Sequence, residues 1–275
     1  DAKLPEYSSQ PFADKTTAPV VNKDAPAYGR KAVLYATCFA NYNNPHIGDA
    51  ARAVLAKNGV ETEVVYPRCC GMPQLEQGDI AAVAESAKQT SADLMPWIEK
   101  GYDVIALVPS CALMLKFEWP LLVTDDENVT KLSTATSDIT EYIVGIAKNE
   151  GLADGIKQLD GGVTVHISCH SRAQNMGQKA AEMLRLIPDL ELNVIERCSG
   201  HGGSWGIMKE NFEVALKVGK PVARKAGDAN SKYVLSECPL ARDHIVQGIE
   251  KLDKPVDNID TMQHPVELFA RAFGV

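Results

Sequence analysis

The chain has 275 residues, of which 45% are hydrophobic and 23% charged, and its formal net charge at pH 7 is −8. This composition is typical of a globular protein, and the acidic balance argues against non-specific nucleic-acid binding. No run of about 18 apolar residues occurs, so we expect no membrane span.

The first half of the chain begins with a proline-containing segment and continues with alternating strands and helices. Residues 1–30 hold four prolines among polar residues, which predicts an extended N-terminal arm or linker. Apolar, β-favouring runs then predict strands over Lys31–Thr37, Glu61–Tyr66 and Asp103–Pro109. Amphipathic and capping patterns predict helices over Ile47–Asn58, Gly78–Lys100, Ala112–Trp119 and from Thr136 to Asn149.

The second half restarts the same pattern after the glycines at 161 and 162, which we expect to be a hinge. Strands are predicted over Val163–Ser168, Glu191–Glu196 and Lys232–Ser236. Helices are predicted over Ala173–Ile187, Trp205–Ala226, Pro239–Leu252 and from His264 to Gly274.

Alternating strands and helices indicate an α/β fold with parallel strands. We therefore predict two pseudo-symmetric lobes, each a mostly parallel sheet flanked by helices. The lobes correspond to residues 31–160, here called the first repeat, and residues 161–275, the second repeat.

The seven cysteines support this duplication. In each repeat a cysteine follows each of the three predicted strands, and the second set lies about 130 residues after the first. The local sequence repeats as well, because Cys69-Cys70-Gly71 corresponds to Cys198-Ser199-Gly200. The odd number of cysteines and the adjacent pair argue against structural disulfides, which indicates a cytoplasmic location.

Ligand sites in parallel sheets lie outside the carboxyl ends of the strands, so each repeat can bring its cysteines to one point. The first repeat offers four sulfurs and the second offers three. They belong to Cys38, Cys69, Cys70 and Cys111, and to Cys169, Cys198 and Cys238.

Four thiolates suit an iron–sulfur cluster or zinc. Adjacent cysteines favour a multi-iron cluster, because each sulfur can then bind a different iron. Structural zinc usually draws its ligands from short CxxC-type knuckles, which this spacing does not match. Metal-free thiol–disulfide chemistry and a zinc-stabilised interaction module remain open as alternatives.

Ser199 replaces the second cysteine of the pair in the second repeat. A second cluster there would have a non-cysteine fourth ligand, and His170 or His201 lies within reach of the cysteines along the chain. A lone loop histidine is also commonly an ordinary polar residue.

The cysteine pattern resembles the cysteine-rich CCG domain. The resemblance covers residues 31–275 and rests on Cys38, Cys69-Cys70-Gly71-Met72-Pro73 and Cys111, repeated as Cys169, Cys198-Ser199-Gly200 and Cys238. This domain occurs in the B subunit of heterodisulfide reductase. The chain also resembles the type found as the C subunit of anaerobic glycerol-3-phosphate dehydrogenase, including the closing His264-Pro265-Val266-Glu267-Leu268.

The resemblance implies an iron–sulfur cluster of the [4Fe–4S] type and electron transfer within an oxidoreductase complex. It implies a flavoprotein or ferredoxin-type partner subunit, a quinone or disulfide acceptor, and membrane association only through a partner. Related proteins often carry a ferredoxin-like segment before this region. The fullest family motif ends in CxxC, whereas Cys111 and Cys238 are single. A cluster held by five thiolates is therefore not expected, and the choice between a cubane and a non-cubane cluster stays open.

Overall fold

The computed structural model describes residues 2–15, 17–253, 256 and 258–275. Asp1 and Thr16 of the predicted arm, and Lys254, Pro255 and Asp257 of the second repeat, lie outside the described residues. Within the described chain, contacts define one compact unit of residues 7–155 and another of residues 156–274 with residues 2–6. The repeat boundary at residue 160 stays a prediction of the sequence duplication.

The first unit contains a four-stranded parallel sheet in the order β2-β1-β3-β4. Its strands are β1 (Lys31–Tyr35), β2 (Glu61–Val65), β3 (Asp103–Ala106) and β4 (Thr136–Asp138). Its helices are α1 (Cys38–Tyr42), α2 (Pro45–Lys57), α3 (Met72–Glu76), α4 (Ile80–Ile98), α5 (Pro109–Leu113), α6 (Trp119–Leu122), α7 (Glu127–Ala135) and α8 (Ile139–Asn149). The apolar β1 and β3 are central and buried, as the sequence runs predict.

The second unit contains a three-stranded parallel sheet in the order β6-β5-β7. Its strands are β5 (Val163–His166), β6 (Leu192–Ile195) and β7 (Tyr233–Ser236), and its helices are α9 (Cys169–Ala173), α10 (Lys179–Leu184), α11 (Phe212–Ala229), α12 (Pro239–Glu250) and α13 (Pro265–Phe273). In both sheets the first strand of the repeat lies between the second and the third. The predicted α/β fold of two equivalent lobes is therefore confirmed.

Several predicted helices differ from the structure, and α1, α3 and α7 lie in segments for which no helix is predicted. The helix predicted over Trp205–Ala226 begins only at Phe212, after a 3₁₀ turn at Trp205–Ile207. The helix predicted after Cys111 continues past Pro120, because a π-helical segment (Met114–Glu118) leads into α6 and Pro120 lies in the first turn of α6. Thr136–Asp138 forms a strand, although Asp138 does cap α8. The helix predicted over Ala173–Ile187 is found only as α10 (Lys179–Leu184), because α9 ends at Ala173 and left-handed backbone at Asn175 and Gly177 interrupts the segment.

Residues 2–30 have little regular structure beyond one 3₁₀ turn at Phe12–Asp14. Contrary to the expectation of an arm outside the core, Phe12 is fully buried. Its ring lies where a side chain on Gly48 of α2 would stand, so glycine is required at that position. In the described residues no helix combines the length and apolar character needed to cross a membrane.

Candidate functional site

The four cysteines of the first repeat form a continuous row of thiols at the carboxyl edge of the first sheet. Cys38 begins α1, Cys69 and Cys70 follow β2, and Cys111 lies in α5 after β3. The side chains are neighbours in the order Cys38–Cys69–Cys70–Cys111, and each influences the ionisation of the next. Cys38 and Cys69 are half-buried, whereas Cys70 and Cys111 are buried in the apolar core of the unit. The structure therefore brings these four residues to the same sheet edge, and their role as cluster ligands stays a prediction.

The contacts within this row concentrate negative charge on Cys69. Hydrogen bonds from the thiols of Cys38 and Cys70, with help from the backbone N–H of Gly71, hold the pKa of Cys69 well below its usual range. The bond to Cys69 raises the pKa of Cys38, and the bonds to Cys111 and Cys69 raise the pKa of Cys70. A thiolate is the form that binds metal and attacks disulfides, and the lowered pKa favours Cys69 as the thiolate of the row.

Two groups outside the row donate hydrogen bonds to its sulfurs. The Tyr66 hydroxyl lies 3.2 Å from Cys38 Sγ and is the donor whenever that cysteine is ionised. The backbone N–H of Gly71 lies 3.5 Å from Cys69 Sγ. The Tyr66 ring packs edge-on against Tyr42, which fixes its orientation. Hydrogen bonds of this kind stabilise charge on cysteine sulfur.

The backbone of the adjacent cysteine pair is fixed by three side chains from different elements. Tyr35 Oη in β1 donates to the carbonyl of Arg68 at 2.5 Å. Ser86 Oγ in α4 donates to the carbonyl of Cys69, and Trp119 Nε1 in α6 donates to the carbonyl of Cys70, both at 3.1 Å.

The three consecutive carbonyls of Arg68, Cys69 and Cys70 therefore all accept hydrogen bonds from side chains. These bonds hold the backbone of the cysteine pair in one conformation. The backbone turns into α3 directly after the pair, at Gly71, whose φ of 82° favours glycine. The Arg68 side chain forms an ion pair with Asp93 at 3.0 Å.

The three cysteines of the second repeat occupy the equivalent strand ends but are more open to solvent. Cys169 begins α9, Cys198 follows β6 and Cys238 caps α12. Cys169 and Cys198 are exposed, while Cys238 is half-buried. Burial raises the pKa of Cys238 to about 11, against the opposing effect of the Ala241 and Leu240 N–H groups at the start of α12.

A buried histidine connects the three strand ends of the second repeat through hydrogen bonds. His166 Nε2 donates to the carbonyl of Arg197 at 2.7 Å, so the ring of neutral His166 carries its proton on Nε2. Its Nδ1 then accepts from Ser236 Oγ at 3.0 Å, and that hydroxyl oxygen accepts from the Cys238 N–H at 3.3 Å. Burial lowers the pKa of His166, which keeps the ring neutral. Glu237 adds a further connection by accepting from the Ser168 N–H at 3.2 Å.

Tyr35 and His166 perform the same task in the two repeats. Each lies three residues before the first cysteine of its repeat, and each donates to the carbonyl of the arginine that precedes the second cysteine. This role was identified for neither residue from the sequence. Both residues could have been identified from the sequence, because each is a hydrogen-bonding side chain in an otherwise apolar run, three residues before the first cysteine of its repeat.

The histidines predicted as optional ligands lie near the second set of sulfurs. His201 Nε2 lies 3.7 Å from Cys238 Sγ, and His201 Nδ1 accepts from the Gly203 N–H at 3.0 Å. His170 lies in α9, and burial and then the nearby charge of His201 lower its pKa. Ser199 is buried at the position where the first repeat has Cys70.

The donor set of the first repeat fits an iron–sulfur cluster. In the part of the chain that the structure describes, no three His, Cys, Asp or Glu side chains converge as ligands of a single metal ion. A multi-iron cluster needs no such single-ion site, because it takes each sulfur on a different iron. Donors to Cys38 and Cys69 surround this row, as they commonly do in such centres.

Comparison with known proteins agrees with this cysteine arrangement. The sequence profile of the family described as "CCG: Cysteine-rich domain" matches residues 32–116 and 163–240, which together make up more than half of the chain. The chain belongs to the CCG cysteine-rich domain family. The two matched segments of this CCG protein contain all seven cysteines.

Curated relatives of this CCG protein include a component of a redox enzyme and an iron–sulfur protein. The C subunit of anaerobic glycerol-3-phosphate dehydrogenase from Escherichia coli is 26% identical over 98% of this chain and 66% of its own length. An uncharacterised iron–sulfur protein from Methanocaldococcus jannaschii is 29% identical over 82% of this chain and 44% of its own length. The chain thus spans less than two thirds of either relative.

A solved structure shares the fold of this CCG protein. A hypothetical protein from Helicobacter pylori superposes with a TM-score of 0.53 at 12% sequence identity. The match covers 99% of this chain and 52% of the other. A likeness at this level of identity is evidence about the fold alone.

Proposed function

We propose that the chain is an iron–sulfur electron-transfer subunit of an oxidoreductase complex. The observation that carries this proposal is the row of four thiols in the first repeat, with its charge on Cys69 and with hydrogen bonds donated to Cys38 and Cys69. The names of the relatives, a dehydrogenase component and an iron–sulfur protein, support the same function.

A principal [4Fe–4S] cluster would be held by the thiolates of Cys38, Cys69, Cys70 and Cys111. The cluster would supply one-electron chemistry. The protein binds it through these sulfurs, fixes the cysteine pair through Tyr35, Ser86 and Trp119, and excludes water from the inner side of the site through the core around Cys70 and Cys111.

Cys169, Cys198 and Cys238 would form a second, less complete site, because they supply three sulfurs where the first repeat supplies four. Each of these cysteines follows a strand end, and the His166 hydrogen bonds connect the chain around them. A cluster in this repeat would require a fourth ligand other than cysteine.

The remaining details of this proposal rest on family resemblance. The electron donor would be a flavoprotein or a ferredoxin-type partner subunit, and the acceptor a quinone or a disulfide. The protein would act in the cytoplasm, with contact to a membrane only through a partner.

Paired substitutions at equivalent positions test which residues hold iron. Cys70→Ser removes a sulfur from the first repeat, and Ser199→Cys introduces one at the equally buried position of the second repeat. We expect Cys70→Ser to lower the iron bound per chain after anaerobic purification, and Ser199→Cys to keep or raise it. Full iron retention by a folded Cys70→Ser variant would remove Cys70 from the set of ligands.

The low pKa of Cys69 favours a second candidate function, metal-free thiol–disulfide exchange. Cys69 is half-buried, and its neighbour Cys38, which is distant in sequence, could complete a disulfide with it. Rapid alkylation of Cys69 in protein isolated without metal from anaerobic cells would support this function.

A colourless protein with stoichiometric zinc would instead indicate a zinc-stabilised interaction module.

A further inference from the structure

The His201 side chain connects Cys238 to the glycine loop after Cys198. Its Nε2 lies 3.7 Å from Cys238 Sγ, within reach of a hydrogen bond to sulfur. Its other ring nitrogen, Nδ1, receives the backbone N–H of Gly203 at 3.0 Å. Both nitrogens of this ring therefore have an identified neighbour.

These two contacts determine which ring nitrogen carries the proton. A backbone N–H can only donate, so Nδ1 must present its lone pair to Gly203. A neutral imidazole with a bare Nδ1 carries its proton on Nε2. The group that faces Cys238 Sγ is consequently an N–H donor and not a lone pair.

A metal ligand would need the opposite arrangement. A histidine that binds metal through one nitrogen usually donates the N–H of the other to a carboxylate, a carbonyl or water. Here the other nitrogen faces a donor, the Gly203 N–H. The Nε2 of His201 cannot bind metal while this contact is present.

The loop sequence holds the His201 ring in place. Gly202 and Gly203 both have left-handed backbone, with φ of 53° and 60°, which brings the Gly203 N–H back to the ring. A side chain on Gly206 would come within 1.9 Å of the His201 carbonyl, and one on Gly200 within 2.3 Å of the Ala215 carbonyl. The loop is packed tightly enough on its own turn and on α11 that its glycines cannot be replaced without a shift.

We propose that His201 is a positioning residue that donates Nε2–H to the sulfur of Cys238, and that it is not the fourth ligand of the second repeat. The hydrogen bond orients the Cys238 sulfur. This inference rests on the proposed iron–sulfur function only in its second test below.

The first test measures the tautomer directly. Metal-free, reduced protein labelled with ¹⁵N-histidine is studied by NMR at pH about 8, above the ordinary histidine pKa. The His201 ring signals are assigned by their loss in His201→Gln, with His170→Gln as the matched control from the neighbouring cysteine segment. We expect a protonated Nε2 and a bare Nδ1. A protonated Nδ1 would overturn the proposal.

The second test uses glutamine in place of histidine, because its side-chain amide can donate near the Nε2 position but does not readily bind iron. His201→Gln, Cys238→Ser and the unaltered protein are loaded anaerobically with iron and sulfide, and iron per chain is compared. We expect His201→Gln to retain the iron of the unaltered protein. A loss as large as that in Cys238→Ser would identify His201 as a ligand.

The two tests separate this inference from the proposed function. If no variant binds iron, the proposed function fails, but the tautomer still decides the role of His201. If the unaltered protein and Cys238→Ser bind equal iron, the second repeat holds none, and the tautomer again decides.

Discussion

At the scale of single residues, the first repeat depends on donors that hold the Cys69–Cys70 backbone. Trp119 is fully buried and its Nε1 donates to the Cys70 carbonyl, whereas the Trp97 Nε1 donates to the exposed Glu63 carboxylate. The two indoles thus make the same kind of bond in different surroundings. A buried carbonyl that loses its donor costs far more free energy than an exposed carboxylate, which can bond to water.

Trp119→Phe and Trp97→Phe therefore form a matched pair. We expect Trp119→Phe to lower the free energy of unfolding by about 2–4 kcal/mol, because it removes the bond and part of the packed indole. Trp97→Phe is expected to change it by less than about 1 kcal/mol. Urea unfolding of the two variants under the same conditions makes the comparison. Equal destabilisation would contradict a special role for the bond to Cys70.

Tyr66 is predicted to adjust the reduction potential of a cluster in the first repeat. Its hydroxyl donates to Cys38 Sγ, and hydrogen bonds to cluster sulfurs favour the reduced, more negative form. Tyr66→Phe should lower the midpoint potential without loss of iron, as measured by an anaerobic redox titration. Tyr42→Phe, which alters a ring packed against Tyr66, is the control. An unchanged potential in Tyr66→Phe would exclude this effect.

At the scale of elements, α11 holds the Cys198 loop by close backbone contact. A side chain on Gly219, in the middle of α11, would come within 2.2 Å of the Ser199 carbonyl. A side chain on Gly145, inside α8, would meet no other atom within 4 Å. The same substitution is therefore expected to have opposite effects in these two helices.

Gly219→Ala should lower the free energy of unfolding by about 1–3 kcal/mol, because the loop must shift away from α11. Gly145→Ala should raise it by about 0.5–1 kcal/mol, since alanine restricts the unfolded chain and favours helix. Thermal unfolding of both variants, followed by circular dichroism, measures the difference. If both substitutions stabilised the protein, the result would contradict the close approach of Gly219 to the Ser199 carbonyl.

The elements also indicate how far the sequence alone leads. The apolar runs of β1, β3 and β5 predict buried parallel strands, and cysteines directly after them predict convergence at one sheet edge. β4 could not be predicted, because its three residues carry no β-favouring pattern and form a strand by pairing with the edge of β3. Local sequence contains no information about such a partner.

The hydrogen bonds around the cysteines were equally beyond sequence reasoning. Trp119 and Ser86 reach the cysteine pair from helices far away in the chain, so their role depends on tertiary packing. The His166–Ser236–Cys238 series likewise joins residues about 70 positions apart. The duplication made the cysteines recognisable in the sequence because the same residue type recurs. Tyr35 and His166 share one role but are different residue types, so the duplication did not reveal them.

At the scale of the whole molecule, the two repeats share strand order but differ in what their cysteines can bind. The first has four thiols in contact, two of them in the core, and the second has three, two of them exposed. Ser199 in place of a cysteine accounts for the missing sulfur. We expect the first repeat to retain metal more firmly than the second, because its ligands are more numerous and less open to solvent.

The central claim, that the first repeat holds an iron–sulfur cluster, is tested most directly by the iron and acid-labile sulfide per chain of anaerobically purified protein, with a visible spectrum of the same sample. We predict about four irons with matching sulfide, or about eight if the second repeat is also filled. Absence of iron, even after anaerobic reconstitution, would contradict the account and leave thiol chemistry or zinc binding.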